Sequence, residues 1–179
     1  MKKTLMVVLF LTIIALLGRV SAFEQTLDDV KMLPECKYCG MDREHFAQTR
    51  MVVYHGHGTM IGLCSINCAA LDHVRELEDA PMSFKVGDYN TKELIEARKA
   101  YWVIGGSKQG VMAIRGKWAF KKKSDAKAFI ARYGGRIGNF EKAMKTSYED
   151  MYEDMRQLSE MKRKHACSTS AAKGTDTED

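Results

Sequence analysis

The chain has 179 residues, 45% of them apolar, with 28 Lys and Arg against 23 Asp and Glu for a net charge of +5. That length suits one domain of ordinary size or two very small halves, and the apolar fraction suffices for a core. Without Lys2, Lys3 and Arg19 of the amino-terminal segment, 25 basic residues face 23 acidic ones, and a balance of +2 gives no electrostatic footprint for nucleic acid.

Lys2 and Lys3 precede an apolar run from Leu5 to Leu17, and Val20-Ser21-Ala22 places small residues before Phe23. This pattern predicts a cleaved secretory signal peptide over residues 1–22 and a mature protein that is periplasmic or otherwise exported. The run is short for a membrane span, so the membrane is met only through the export signal. No cysteine follows it, which argues against a lipid-anchored amino terminus. Outside the cytoplasm disulfides persist and compete with metal binding. Five cysteines is an odd number, and Cys167 in the polar tail is the natural odd one out.

Residues 23–33 read as a short leader with a helical turn around Leu27 to Leu33, and Pro34 holds Leu33 extended. Cys36-Lys37-Tyr38-Cys39-Gly40-Met41 has the form of a tight knuckle, in which Gly40 takes positive φ and backbone N–H groups point at the thiolates. A hairpin follows: Met51 to Tyr54, a turn at His55-Gly56-His57-Gly58, and Thr59 to Leu63. The two histidines at the turn read as exposed and idle. Ile66, Ala69, Ala70, His73, Val74 and Leu77 recur at helical spacing, predicting a helix over about 66–79 with Ser65 or Asn67 as N-cap. The pair Cys64 and Cys68 therefore sits at a helix amino end, where orphan N–H groups favour thiolate. Met82 to Val86 alternates as a further strand.

A similar order then recurs without cysteines. Thr91 caps a short helix through Ala100, Tyr101 to Ile104 reads as a strand, Val111 to Phe120 as another, and Ser124 caps a helix bearing Ala128, Phe129 and Tyr133. Gly134-Gly135 stops it before Ile137 to Phe140. Lys121-Lys122-Lys123 reads as a solvated turn. The expectation is an α+β fold of two similar ββαβ halves, at 23–88 and 89–140, with the cysteine unit in the first. Met144, Tyr148, Met151, Met155 and Leu158 form a stripe on an amphipathic helix over 141–165, a packing face that docks on the domain or pairs with a second copy to make a homodimer. Residues 166–179 read as a disordered tail.

Folding the hairpin back brings four sulfurs together, which makes Cys36, Cys39, Cys64 and Cys68 a candidate metal site. Four thiolates suit a structural zinc module, with tetrahedral Zn(II) between knuckle and helix start. Thiolate and thioether ligands suit Cu(I), with Met41 two residues past Cys39 and Met112 reaching across from the second half. Two disulfides, or one disulfide and a redox dithiol, form a third reading, and with it a thiol-disulfide oxidoreductase as the enzymatic alternative. No catalytic constellation appears otherwise. His45, His73 and His165 lack a nucleophile partner, and Asp42, Glu44 and Asp72 read as surface charges or caps.

Cys36-x-x-Cys39-Gly40-Met41, the run Glu96 to Ser107 with Tyr101-Trp102-Val103-Ile104-Gly105-Gly106, Gly110-Val111-Met112, Ala119-Phe120, Ser124-Asp125-Ala126 and Gly134-Gly135 together resemble the NosL family of nitrous oxide reductase accessory proteins. The likeness runs in order from about residue 36 to 140, with Gly110-Val111-Met112-Ala113 standing where the family more usually has Gly-Pro-Met-Gly. Cys64-x-x-x-Cys68 with the knuckle also resembles small heavy-metal-binding cysteine modules. The family resemblance implies an exported Cu(I) carrier with two ββαβ halves, a copper chaperone that delivers to a periplasmic copper enzyme or its assembly factors. It implies no enzyme activity, and it makes Cys39, Met41 and Met112 the foremost functional residues. The metal candidates are thus Cys36, Cys39, Met41, Cys64, Cys68 and Met112, more than one ion can hold.

Overall fold

The computed structural model describes residues 28–76 and 79–173, with side chains described through residue 160 apart from Leu158. The signal peptide expected over 1–22, Leu77 of the expected helix stripe, and the side chains of Leu158, His165 and Cys167 lie outside the described residues. Among the described residues, no helix is long and apolar enough to cross a membrane.

The elements are α1 (Asp28–Met32), β1 (Met51–Tyr54), β2 (Met60–Leu63), α2 (Ile66–Arg75), β3 (Ser83–Gly87), β4 (Leu94–Glu96), β5 (Tyr101–Ile104), β6 (Lys117–Phe120), α3 (Lys123–Tyr133), β7 (Arg136–Gly138) and α4 (Phe140–Lys173). They form an α+β fold with two antiparallel sheets, ordered β2-β1-β3-β4 and β6-β5-β7. In each, two strands are joined as a pair, a helix follows, and the next strand returns to the free side of the first. The ββαβ repeat expected from the order of patterns is therefore present in the pairing as well.

Register explains the burial. β1 pairs Met51 with Leu63 on one side and with Val86 on the other, so three apolar residues stack in one row across the sheet. In β5 alternate residues serve two cores: Trp102 and Ile104 face the first sheet and α2, whereas Val103 joins Trp118, Phe120, Ala126 and Phe129 under α3. The first core continues into Phe140, Ala143 and Met144 of α4. The two halves thus share the first core, while the second lies within the latter half. Each fully buried Leu, Val or Phe there contributes roughly 1.5–3 kcal/mol.

Two elements differ from the pattern. Residues expected as a helix between Thr91 and Ala100 form strand β4 instead, because Lys85, Val86 and Gly87 of β3 offer an open edge to Glu96, Ile95 and Leu94. Tertiary pairing overrides a weak local helix preference. The strand expected from Val111 begins only at Lys117, since the preceding residues bend over α2 and α4. Helix α2 ends at Arg75 and leaves Val74 exposed, while the final helix continues past 165 to Lys173. Helix α3 starts one residue before the expected cap and buries Ala126 and Phe129 rather than Ala128.

Candidate metal centre

The knuckle is built by backbone. Gly40 donates its N–H to the carbonyl of Cys36 at 2.9 Å, and Cys36 donates to that of Met41 at 2.9 Å. This closure needs φ of +68° at Gly40, a region glycine enters freely. The knuckle is then fastened to the hairpin, because Lys37 N–H donates to the Gly62 carbonyl at 3.0 Å. β2 leads directly into Cys64, and Ser65 in extended conformation starts α2, which turns Cys68 back toward the knuckle.

The outcome is one cluster. The Sγ atoms of Cys36, Cys39, Cys64 and Cys68 all lie within 4.8 Å of one another. Cys39 is 3.5 Å from Cys64, Cys64 is 3.6 Å from Cys68, and Cys68 is 3.9 Å from Cys39. All four are free thiols, with Cys39 half-buried and the other three buried.

Crowding sets their acidity. Thiol donors from Cys64 and Cys68, followed by the backbone N–H groups of Cys39 and Tyr38, hold Cys36 far below the usual thiol range. Hydrogen bonding from Cys68 lowers Cys39 to about 7 against opposing burial, with help from the Met41 backbone. Cys64 is pushed up mainly by Cys36, and Cys68 by Cys36, Cys39 and Cys64, with burial raising both. These shifts thus favour thiolate at the knuckle pair over the helix pair. A cation placed among the sulfurs removes the repulsion that keeps thiol protons bound.

Charged residues on which the sequence patterns are silent lie buried beside the elements that carry this cluster. Arg43, fully buried, donates through Nη2 to Asp29 Oδ2 at 2.7 Å and to the Met51 carbonyl at 3.0 Å. Its Nε donates to the Leu63 carbonyl at 3.3 Å, and Nη1 reaches the carbonyls of Asp29 and Leu33. Arg50 completes the pair around Asp29, with Nη2 2.8 Å from Oδ1. Gly62 leaves room for Arg43, as a Cβ there would lie 2.6 Å from its Nη1.

Asp72 and His55 depart from expectation. Asp72, expected as a surface charge or cap, is fully buried one turn after Cys68 and accepts a 2.6 Å hydrogen bond from Tyr38 of the knuckle. His55, expected as idle, is only 5% exposed, with Nδ1 2.7 Å from the Asp79 carbonyl. Its Nε2 lies 3.1 Å from Asp72 Oδ2 without hydrogen-bond alignment. The hairpin tip is thereby held beside α2 and the chain after it, with the Gly56 N–H also donating to Asp79 Oδ1 at 2.9 Å. Asp42 does act as a cap, accepting from the N–H groups of Glu44 and His45.

Of the two methionines in the candidate set, Met41 is half-buried against the core that contains the cysteines, as is Met112. Met112 sits on the bent loop before β6 rather than in a strand. Its φ is +53°, and its carbonyl accepts a 2.6 Å hydrogen bond from Asn67 Nδ2, the neighbour of Cys68. The structure thus brings the four cysteines together and packs both methionines against the core that contains them.

A family model described as NosL matches residues 28–148, about two thirds of the chain. A comparison with curated proteins found no match. Among solved structures, the copper chaperone NosL from Shewanella denitrificans is 26% identical with a TM-score of 0.48, covering 60% of this chain and 87% of that one. The apo-NosL protein from Achromobacter cycloclastes is 19% identical with a TM-score of 0.37, covering 50% of this chain and 81% of that one.

Proposed function

This chain belongs to the NosL family, and from that premise we propose that it is an exported Cu(I)-binding protein, a chaperone that delivers copper to a periplasmic copper enzyme such as nitrous oxide reductase. Export rests on the Leu5–Leu17 apolar run with its small-residue cleavage pattern. The observation that carries the metal-binding part is the set of four sulfurs within 4.8 Å of one another. Cys36, Cys39, Cys64 and Cys68 are the ligand pool, with Met41 and Met112 as thioether ligands or entry residues. Soft sulfur ligands select Cu(I). Cu(I) takes fewer ligands than a closed tetrahedral cage, so one thiol stays free to exchange, and the ion moves on by ligand replacement without changing oxidation state.

One observation favours a second reading. Among Cys39, Cys64 and Cys68 the sulfur separations of 3.5–3.9 Å are close to the edge of a tetrahedron with arms of about 2.3 Å, the thiolate distance of structural Zn(II). Metal analysis of periplasmically expressed protein, followed by anaerobic Cu(I) titration against a competing chelator, separates the two. The copper reading expects a folded metal-free protein that takes up Cu(I) when reduced and yields it to the competitor. Protein that arrives filled with zinc and loses its first half on chelation overturns it.

A further inference from the structure

Beside the cysteine cluster, α2, the loop before β6 and α4 enclose a cavity of about 150 Å³. Cys68 lines it from α2, Met112 from the loop, and Met151 and Met155 from α4, with Asn67 and Asp154 at its wall. Met151 and Met155 are four residues apart, so they share one helix face. Both lie beyond residue 148, where the family match ends.

Three features set this pocket apart from ordinary packing. Sulfur is graded along it: Cys68 is 4% exposed, Met112 and Met151 are half-buried, and Met155 is 54% exposed. Met112 is held in a left-handed conformation that costs a residue with a Cβ on the order of 1–2 kcal/mol. The loop is kept there by Asn67 on the Met112 carbonyl and by Ile114 N–H donating to Asp154 Oδ1 at 2.9 Å. Finally, Asp154 is 3% exposed and also accepts from Asn67 at 3.1 Å, which places a carboxylate beside uncharged sulfur donors.

We propose that Met112, Met151 and Met155 form a thioether entry site for soft monovalent cations, Cu(I) or Ag(I), that passes them to the cysteine cluster through Cys68. The inference rests on the Cu(I) reading and deepens it. Thioethers bind such ions by lone-pair donation, release no proton and leave harder divalent ions in water. Proton release follows only when the cysteines take the ion over, as sulfur–cation bonds to thiolate replace those to thioether.

The test uses the full mature chain, reduced and anaerobic, with ¹³C-methyl methionine and Ag(I) as the probe. The ε-methyl resonances of Met112, Met151 and Met155 are expected to shift with Ag(I), whereas Zn(II) leaves those of Met151 and Met155 in place. The M151L/M155L protein should keep the equilibrium Cu(I) capacity of the cysteines and take up Cu(I) from a chelator about tenfold more slowly. M155L alone, at an exposed position, provides a variant that keeps the fold and shows part of the slowing. Methionine methyls that ignore Ag(I), or uptake rates unchanged in both variants, reduce the cavity to packing and overturn the proposal. Cysteines that bind no Cu(I) while the methyls still respond overturn the parent reading and the transfer through Cys68 with it, an outcome distinct from methyls that ignore Ag(I).

Discussion

The Sγ atoms of Cys39 and Cys68 lie 3.9 Å apart although 29 residues separate them in the chain. One comes from a glycine knuckle and the other from the first turn of α2, joined along the chain by the hairpin and across space by Tyr38 on Asp72. Replacing Cys68 by Ser removes a buried sulfur yet keeps a similar volume. The folded protein should persist while Cu(I) retention against a chelator falls by about tenfold or more. Retention equal to that of the parent protein would remove Cys68 from the site.

Cys39 should be the first cysteine to react in the metal-free protein. It is half-buried where the others are buried, and hydrogen bonding from Cys68 lowers it to about 7. Because the thiolate is the nucleophile, alkylation should fall about tenfold between pH 8 and pH 6. Iodoacetamide labelling followed by peptide mass spectrometry reads both the site and the midpoint, and one equivalent of Cu(I) should suppress it.

The two knuckle-side glycines make opposite demands. Gly40 has φ of +68° and nothing within 4 Å of an added Cβ, so Gly40→Ala meets only backbone strain of about 1 kcal/mol. Gly62→Ala would place its Cβ 2.6 Å from the Arg43 guanidinium and force the buried clamp apart. Chemical denaturation should show a small shift for the first and a several-fold larger one for the second.

Arg43→Met tests that clamp directly. The arginine reaches Asp29 and the carbonyls of Met51 and Leu63, so its loss orphans several buried acceptors. Arg50 still faces Asp29 and softens the effect. A loss of about 3 kcal/mol is expected from denaturant midpoints, with Cu(I) restoring part of it by mass action.

Tyr38→Phe removes the 2.6 Å hydrogen bond to buried Asp72. Hydrogen bonds to charged groups contribute about 1.5–3 kcal/mol, and the knuckle loses its tether to the α2 face. Thermal unfolding of the metal-free protein should register the loss, whereas an unchanged midpoint would mean that this bond adds nothing net to stability.

The parts legible from sequence were those set by short-range chemistry. Cysteine spacing, Gly40 and the alternation from Met51 to Leu63 announced the knuckle, the hairpin and their meeting with the helix start. The recurrence of strand, strand, helix and strand was visible because Gly105-Gly106 and Gly134-Gly135 punctuate it. Asp29, Arg43, Arg50, His55 and Asp72 were hidden, since charged residues in turns and short helices look solvated until partners distant in the chain enclose them. β4 was misread because its stability comes from the edge of β3, and the bend at Met112 because Asn67 and Asp154, which hold it, lie far away in sequence.

The separation of the four thiols into two short segments carries a consequence for the order of events. An extended polypeptide can offer a cation no more than two neighbouring sulfurs at a time. Only the closed hairpin assembles the full set, so a cation that needs more than two of these sulfurs finds them in the folded chain alone.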